Sequence, residues 1–207
     1  MKKILAFILA LMAFGWSSLS QAAKVGDPAP GFTSTDSQGK SVKLSDYKGK
    51  FVVLEWHNKS CPFVKSQYNK GKMQNLQSKW TAKDVVWLRI ISSASGKEGF
   101  LTGPQAQLSA KEQGAKATDT LLDPEGVVGQ AYGAKTTPHM FIINPKGTLI
   151  YNGAIDNAPR EEDAVTKNES GEPFVNYVDR ALQESVVEKR KVAVPSTPPY
   201  GCGVKYK

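Results

Sequence analysis

Four stretches of the chain are apolar at most positions and rich in β-branched or aromatic side chains: Phe51–Trp56, Val85–Ile91, His139–Ile143 and Thr148–Tyr151. Runs of this length predict strands covered on both faces. Two shorter runs, Phe32–Thr35 and Ser41–Leu44, flank Asp36-Ser37-Gln38-Gly39 and predict an N-terminal hairpin. Asn144-Pro145-Lys146-Gly147 predicts the turn between the last two strands. Between the strands the apolar period changes. Val64, Tyr68, Met73, Leu76 and Trp80 give a helical stripe with a fault near Gly71, so a helix from about Cys61 should break over Asn69–Lys72. Gln105–Lys116 predicts another helix, and Gly126–Tyr132 a short one stopped by Gly133. Phe174, Val178 and Leu182 recur every four residues, predicting an amphipathic helix that runs to about Lys191. Ala193–Pro199 holds three prolines and must be extended. The order predicts an α/β fold: a central mixed sheet flanked by helices, with an N-terminal hairpin and an extended C-terminal tail.

The first residues follow a different pattern. Lys2 and Lys3 precede an uncharged apolar stretch, Ile4–Trp16, and Ser20 and Ala22 sit at the −3 and −1 places of a small-x-small cleavage site. Residues 1–22 therefore read as a secretory signal, too short for a spanning helix, which needs about 20 apolar residues. The expected domains are this signal, a globular unit over 23–191 and a tail over 192–207. No stable membrane insertion is expected after cleavage. The expected location is periplasmic or secreted, where disulfides persist. The formal charge of +8 arises from 27 Lys and Arg against 19 Asp and Glu, but the lysines are scattered over the chain and read as solvated surface. No nucleic-acid motif accompanies them, and no glycine-rich phosphate loop follows a strand. Glu161, Glu162 and Asp163 read as a solvated charge run.

Two cysteines and two histidines exclude a disulfide-dense scaffold and any four-cysteine metal site, and no metal or other cofactor is expected. Cys61 stands where a buried strand gives way, through His57-Asn58-Lys59-Ser60, to a helix opened by Pro62. Free N–H groups and the positive end of the helix dipole favour a thiolate there, so a reactive, solvent-meeting thiol is expected. Cys202 lies between glycines at the end of the tail, where mobility suits a resolving cysteine. A permanent Cys61–Cys202 staple is the structural alternative. It would close a loop of about 140 residues and contribute about 5 kcal/mol by chain-entropy reasoning. His57 and His139 could tune the thiol, or be a strand-end polar residue and a hydrogen-bonded sheet residue. The stretch from Lys97 to Gln113 has no assigned role.

These features together resemble a known family. Val25-Gly26-Asp27-Pro28-Ala29-Pro30-Gly31-Phe32, Asn58-Lys59-Ser60-Cys61-Pro62-Phe63-Val64, Asp123-Pro124-Glu125-Gly126 with Ala131-Tyr132-Gly133, Thr136-Thr137-Pro138 and Asn144-Pro145-Lys146-Gly147 occur in this order. The chain resembles the thioredoxin superfamily, and within it the redoxins of the alkyl hydroperoxide reductase and thiol-specific antioxidant type, in their peroxiredoxin-like branch. The resemblance implies a thioredoxin-like fold, Cys61 as active-site cysteine and Thr137-Pro138 as a cis-proline turn beside it. It further implies that the backbone before this proline pairs with an extended partner chain. The activity implied is thiol–disulfide exchange or peroxide reduction, with a thiol or disulfide protein or a peroxide as substrate and a redox protein partner. Val64 replaces the second cysteine of a Cys-x-x-Cys motif, and Leu54 and Asn58 replace the Pro and Thr of the peroxiredoxin Pro-x-x-x-Thr-x-x-Cys run. No arginine partner is carried over, Arg89 on a buried strand being the one weak candidate. These departures also suit a catalytically inactive binding module.

Overall fold

The computed structural model describes residues 22–158, 167 and 170–207. The expected leader, apart from Ala22, and the Glu161–Asp163 charge run lie outside them. Seven strands form one mixed sheet in the order β2-β1-β5-β4-β3-β7-β8. They are β1 (Thr33–Asp36), β2 (Ser41–Lys43), β3 (Val52–Trp56), β4 (Val86–Ile91), β5 (Asp119–Leu122), β7 (His139–Ile143) and β8 (Leu149–Gly153). Strands β3, β4 and β5 run parallel, while β7 lies antiparallel to β3 and β8 antiparallel to β7. A separate pair joins β6 (Thr136–Thr137) to β9 (Cys202–Gly203).

Side-chain alternation divides the core. Val53 of β3 faces Tyr68 of α1 (Pro62–Asn69), Met73 and Trp80 of α2 (Lys72–Thr81), and Val178 and Leu182 of α5 (Tyr177–Leu182). Val52, Leu54 and Trp56 face the other way, toward Val128 and Tyr132 of α4 (Val127–Tyr132). Helix α3 (Gly103–Glu112) packs Ala106 on Ile91 at the end of β4. β3 is buried at every residue and occupies the middle of the sheet, so its C-terminal end is a rigid mount for the loop that follows.

The expected α/β architecture is present, with differences at particular elements. Gly71 takes the left-handed φ of 70° that splits α1 from α2, at the predicted fault. β5 carries only Leu121 and Leu122 as apolar residues and is stabilised by its neighbours, pairing Leu121 with both Ile90 and Asp36. The terminal helix is shorter than expected. After Leu182 it widens into a π-turn over Gln183–Val187. There the buried Glu184 carboxylate accepts from Arg180 (3.2 Å), Arg190 (2.8 Å) and the Ala193 N–H (2.7 Å), which turns the chain outward.

The tail is extended as expected, but it is docked rather than loose. Ser196 bridges to Asn152 beside β8, and Thr197 Oγ1 accepts from the Ala154 N–H at 2.9 Å. A Cβ on Gly153 would overlap Thr197, so glycine is required for this approach.

Candidate active site

The loop after β3 is shaped by its own side chains. Asn58 Oδ1 accepts from the Ser60 N–H at 2.9 Å, an Asx turn, and Asn58 O accepts from the Cys61 N–H at 3.1 Å. This places Cys61 as the N-cap of α1, with Pro62 at the first helical position. The Thr137-Pro138 peptide is cis, and the Cys61 thiol donates to Thr137 O at 3.0 Å. Cys202 lies opposite Thr137 in the β6–β9 pair, and its thiol hydrogen-bonds the Cys61 sulfur. Cys61, Thr137, Pro138 and Cys202, named separately from sequence, are thus brought to one place. Both cysteines are free thiols.

Burial of Cys61 disfavours its anion. The Cys202 thiol, the Val64 N–H in the first turn of α1, the Thr137 hydroxyl and the Cys202 backbone favour it and prevail, leaving Cys61 below the ordinary thiol range. Cys202 is pushed up to about 12, first by burial and then by its hydrogen bond to Cys61 and the charge there. The two thiols are therefore unequal: Cys61 gives up its proton more readily than Cys202 does.

The expectation of a solvent-meeting sulfur is corrected. Cys61 is 0% exposed, and Tyr200 and Cys202 pack against the core cluster that contains it. Two short loop glycines suggested a mobile end, yet the tail's aromatics fix it. Tyr200 packs at a tilt against Phe63 with ring centroids 5.9 Å apart, and its hydroxyl donates to Asp156 Oδ1 at 2.6 Å. Tyr206 OH donates to Ala134 O at 2.8 Å, and Lys207 pairs with Glu125.

Both histidines are buried and pushed down to about 4, mainly by that burial, and so are neutral near pH 7. His57 Nε2 accepts from Arg89 at 2.6 Å while Nδ1 faces Glu55 at 3.3 Å. His139 Nδ1 accepts from the Lys135 N–H at 3.2 Å, leaving Nε2–H for Asn152 at 2.7 Å. Both ring nitrogens of each are committed elsewhere, in the roles of strand-end and sheet residues. Arg89 likewise serves a buried network: Glu55 accepts from Tyr68, Gln77 and Trp87, and Gln113 closes it by accepting from Arg89 at 2.6 Å. Gln113, at the end of the stretch without an assigned role, is therefore structural. Sequence reading missed Glu55, Gln67, Asp156 and Tyr200. Glu55 alone left a signal, as a lone charge inside an apolar strand. Among the described residues no cluster of His, Cys, Asp or Glu could hold a metal ion, and no helix is long and apolar enough to cross a membrane.

Known proteins share this frame. The chain is 28% identical over 132 residues to the thiol-disulfide oxidoreductase ResA of Bacillus subtilis, a match covering 60% of this chain and 64% of that protein's length. A structure of an uncharacterized conserved protein from Geobacillus kaustophilus superposes with a TM-score of 0.75 at 25% identity, covering 89% of this chain and 93% of that one. A thiol:disulfide interchange protein DsbE from Chlorobium tepidum shares the thioredoxin-like fold, with a TM-score of 0.55 at 22% identity over 81% of this chain and 98% of its own. The AhpC/TSA family model matches residues 25–152, from the extended N-terminal segment to the last strand of the sheet, and the chain belongs to that family.

Proposed function

We propose that the chain is a thiol-disulfide oxidoreductase in which Cys61 is the nucleophile and Cys202 the resolving cysteine. The observation that carries this reading is the hydrogen-bonded Cys61–Cys202 pair at the N-terminus of α1, beside Thr137-Pro138. In the first step the Cys61 thiolate attacks one sulfur of a substrate disulfide. A Cys61–substrate disulfide forms, and the other substrate sulfur leaves as a thiolate. Formation of that bond removes the charge at Cys61 and with it two of the causes that hold the Cys202 proton. Cys202, as its thiolate, then attacks the Cys61 sulfur. The substrate leaves as a thiol, and a Cys61–Cys202 disulfide remains. A dithiol partner protein reduces it, so two electrons pass from partner to substrate.

Thr137 and Pro138 position the reacting sulfurs, Thr137 through its carbonyl and hydroxyl. Peroxide reduction is less well supported. Leu54, at the place of the peroxiredoxin proline, faces the opposite side of the sheet, and Asn58, at the place of the threonine, is occupied in its own turn. Residues 1–22 as a leader would carry the pair to an oxidising compartment, where an inert staple is also stable.

Turnover of an insulin disulfide with dithiothreitol as reductant tests the assignment. Cys61→Ser should lower the rate at least about a hundredfold. Cys202→Ser should slow the cycle and accumulate the mixed disulfide. Unchanged turnover by Cys61→Ser contradicts the assignment and favours a binding module.

A further inference from the structure

β9 pairs antiparallel with β6, Cys202 opposite Thr137 and Gly203 opposite Thr136. Because Cys61 has no exposed surface with the tail in place, any external disulfide reaches it only after β9 leaves. The groove is then free for a strand of similar chemistry, and the resident strand shows what it accepts.

Three features define that chemistry. Two residues before the cysteine, Tyr200 fills a socket made by Phe63, Gln67 and Asp156. Gln67 donates to Asp156 Oδ2 at 2.8 Å and to the Tyr200 hydroxyl at 3.3 Å, and the Ala158 N–H fixes Asp156 Oδ1 at 3.0 Å. Gln67 and the Ala158 N–H hold the Asp156 carboxylate without help from Tyr200, so they give the aromatic pocket a polar end. One residue before the cysteine, Gly201 has φ +126°, and a Cβ there would lie 2.7 Å from the Thr137 carbonyl carbon and closer still to its oxygen. On the far side of the cysteine, by contrast, a Cβ at Gly203 would meet nothing nearer than Lys135 O at 4.0 Å. The groove therefore reads residues N-terminal to the cysteine more strictly than the one after it.

We propose that Phe63, Gln67 and Asp156, beside the close approach of Gly201 to Thr137, form a subsite selecting polypeptide disulfides that carry an aromatic residue two positions, and a glycine one position, before the cysteine attacked by Cys61. Tyr200-Gly201-Cys202 is its resident occupant. This rests on Cys61 being the nucleophile. Phe63, Gln67 and Asp156 are then specificity-determining residues, and docking is a competition between the tail and the substrate.

The test uses the full chain carrying Cys202→Ser and Tyr200→Ala, which empties the socket and leaves Cys61 as its sole thiol. Tyr200→Leu serves as a second variant if packing at the socket is needed for folding. The probes are peptides of sequence Pro-Pro-Tyr-Gly-Cys-Gly-Val-Lys, with the cysteine linked to 2-nitro-5-thiobenzoate, together with Tyr→Ala and Gly→Ala versions. Attack by the Cys61 thiolate on the peptide sulfur forms the protein–peptide disulfide, breaks the bond to the aryl sulfur and releases the coloured aryl thiolate. The parent peptide should react at least about tenfold faster than either altered peptide. Equal rates for all three, with prompt reaction of the symmetric small reagent 5,5′-dithiobis(2-nitrobenzoate), overturn the docking site and leave the nucleophile standing. No reaction of the folded chain with the small reagent, when the unfolded chain does react, overturns the nucleophile and the docking site with it.

Discussion

At the scale of single residues, the site works through the placement of protons. Cys61 and Cys202 have opposite shifts because they share one hydrogen bond between two sulfurs in a buried setting. The position of Cys61 was legible because a strand–loop–helix junction ending in Cys-Pro has few other uses. Its burial was not legible, since the covering residues lie about 140 positions away in a proline-rich stretch that has no periodicity. His139 follows a different logic. Its side chain is buried and neutral, at about 4. In the unfolded chain a histidine takes a proton near pH 6.5. Between pH 6.5 and 4 the unfolded state therefore binds more protons, and stability falls as pH falls. The full effect is about 3 kcal/mol, present above pH 6.5 and lost as pH drops toward 4. Urea midpoints measured across this range should decline for the wild type and decline less for His139→Gln. An equal decline in both would show that His139 titrates normally in the folded state.

Elements give the site its rigidity and its cover. The long apolar runs that became β3, β4 and β7 were readable because both faces of each are buried. β5, β6 and β9 were not, because their two to four residues hold no periodic pattern and gain their structure from the strands they meet. β9 depends on Gly201 as a single point of weakness. In a chain carrying Cys202→Ser, Gly201→Ala should dislodge β9 and speed iodoacetamide labelling of Cys61 by about tenfold or more, whereas Gly203→Ala should leave the rate within about twofold. Equal labelling rates in the two variants would mean that the tail does not cover the sulfur.

For the whole molecule, the sheet brings together residues far apart in sequence: Cys61 at the start of α1, Thr137-Pro138 before β7 and Cys202 after the last helix. The α/β class and the role of the entry, junction and hairpin motifs followed from local pattern and family resemblance. The meeting of tail and groove followed from neither, because it is a tertiary contact made by aromatic anchors, Tyr200 and Tyr206, that read locally as parts of a loop. We propose that Cys61 and Cys202 act as one redox unit. The most direct measurement is disulfide mapping by mass spectrometry after the reduced chain meets one equivalent of a small-molecule disulfide. A Cys61–Cys202 crosslink is expected in nearly every molecule, reversed by dithiothreitol and absent in Cys61→Ser. Two alkylatable thiols left after that treatment, or the small molecule attached to Cys202 in place of Cys61, would contradict it.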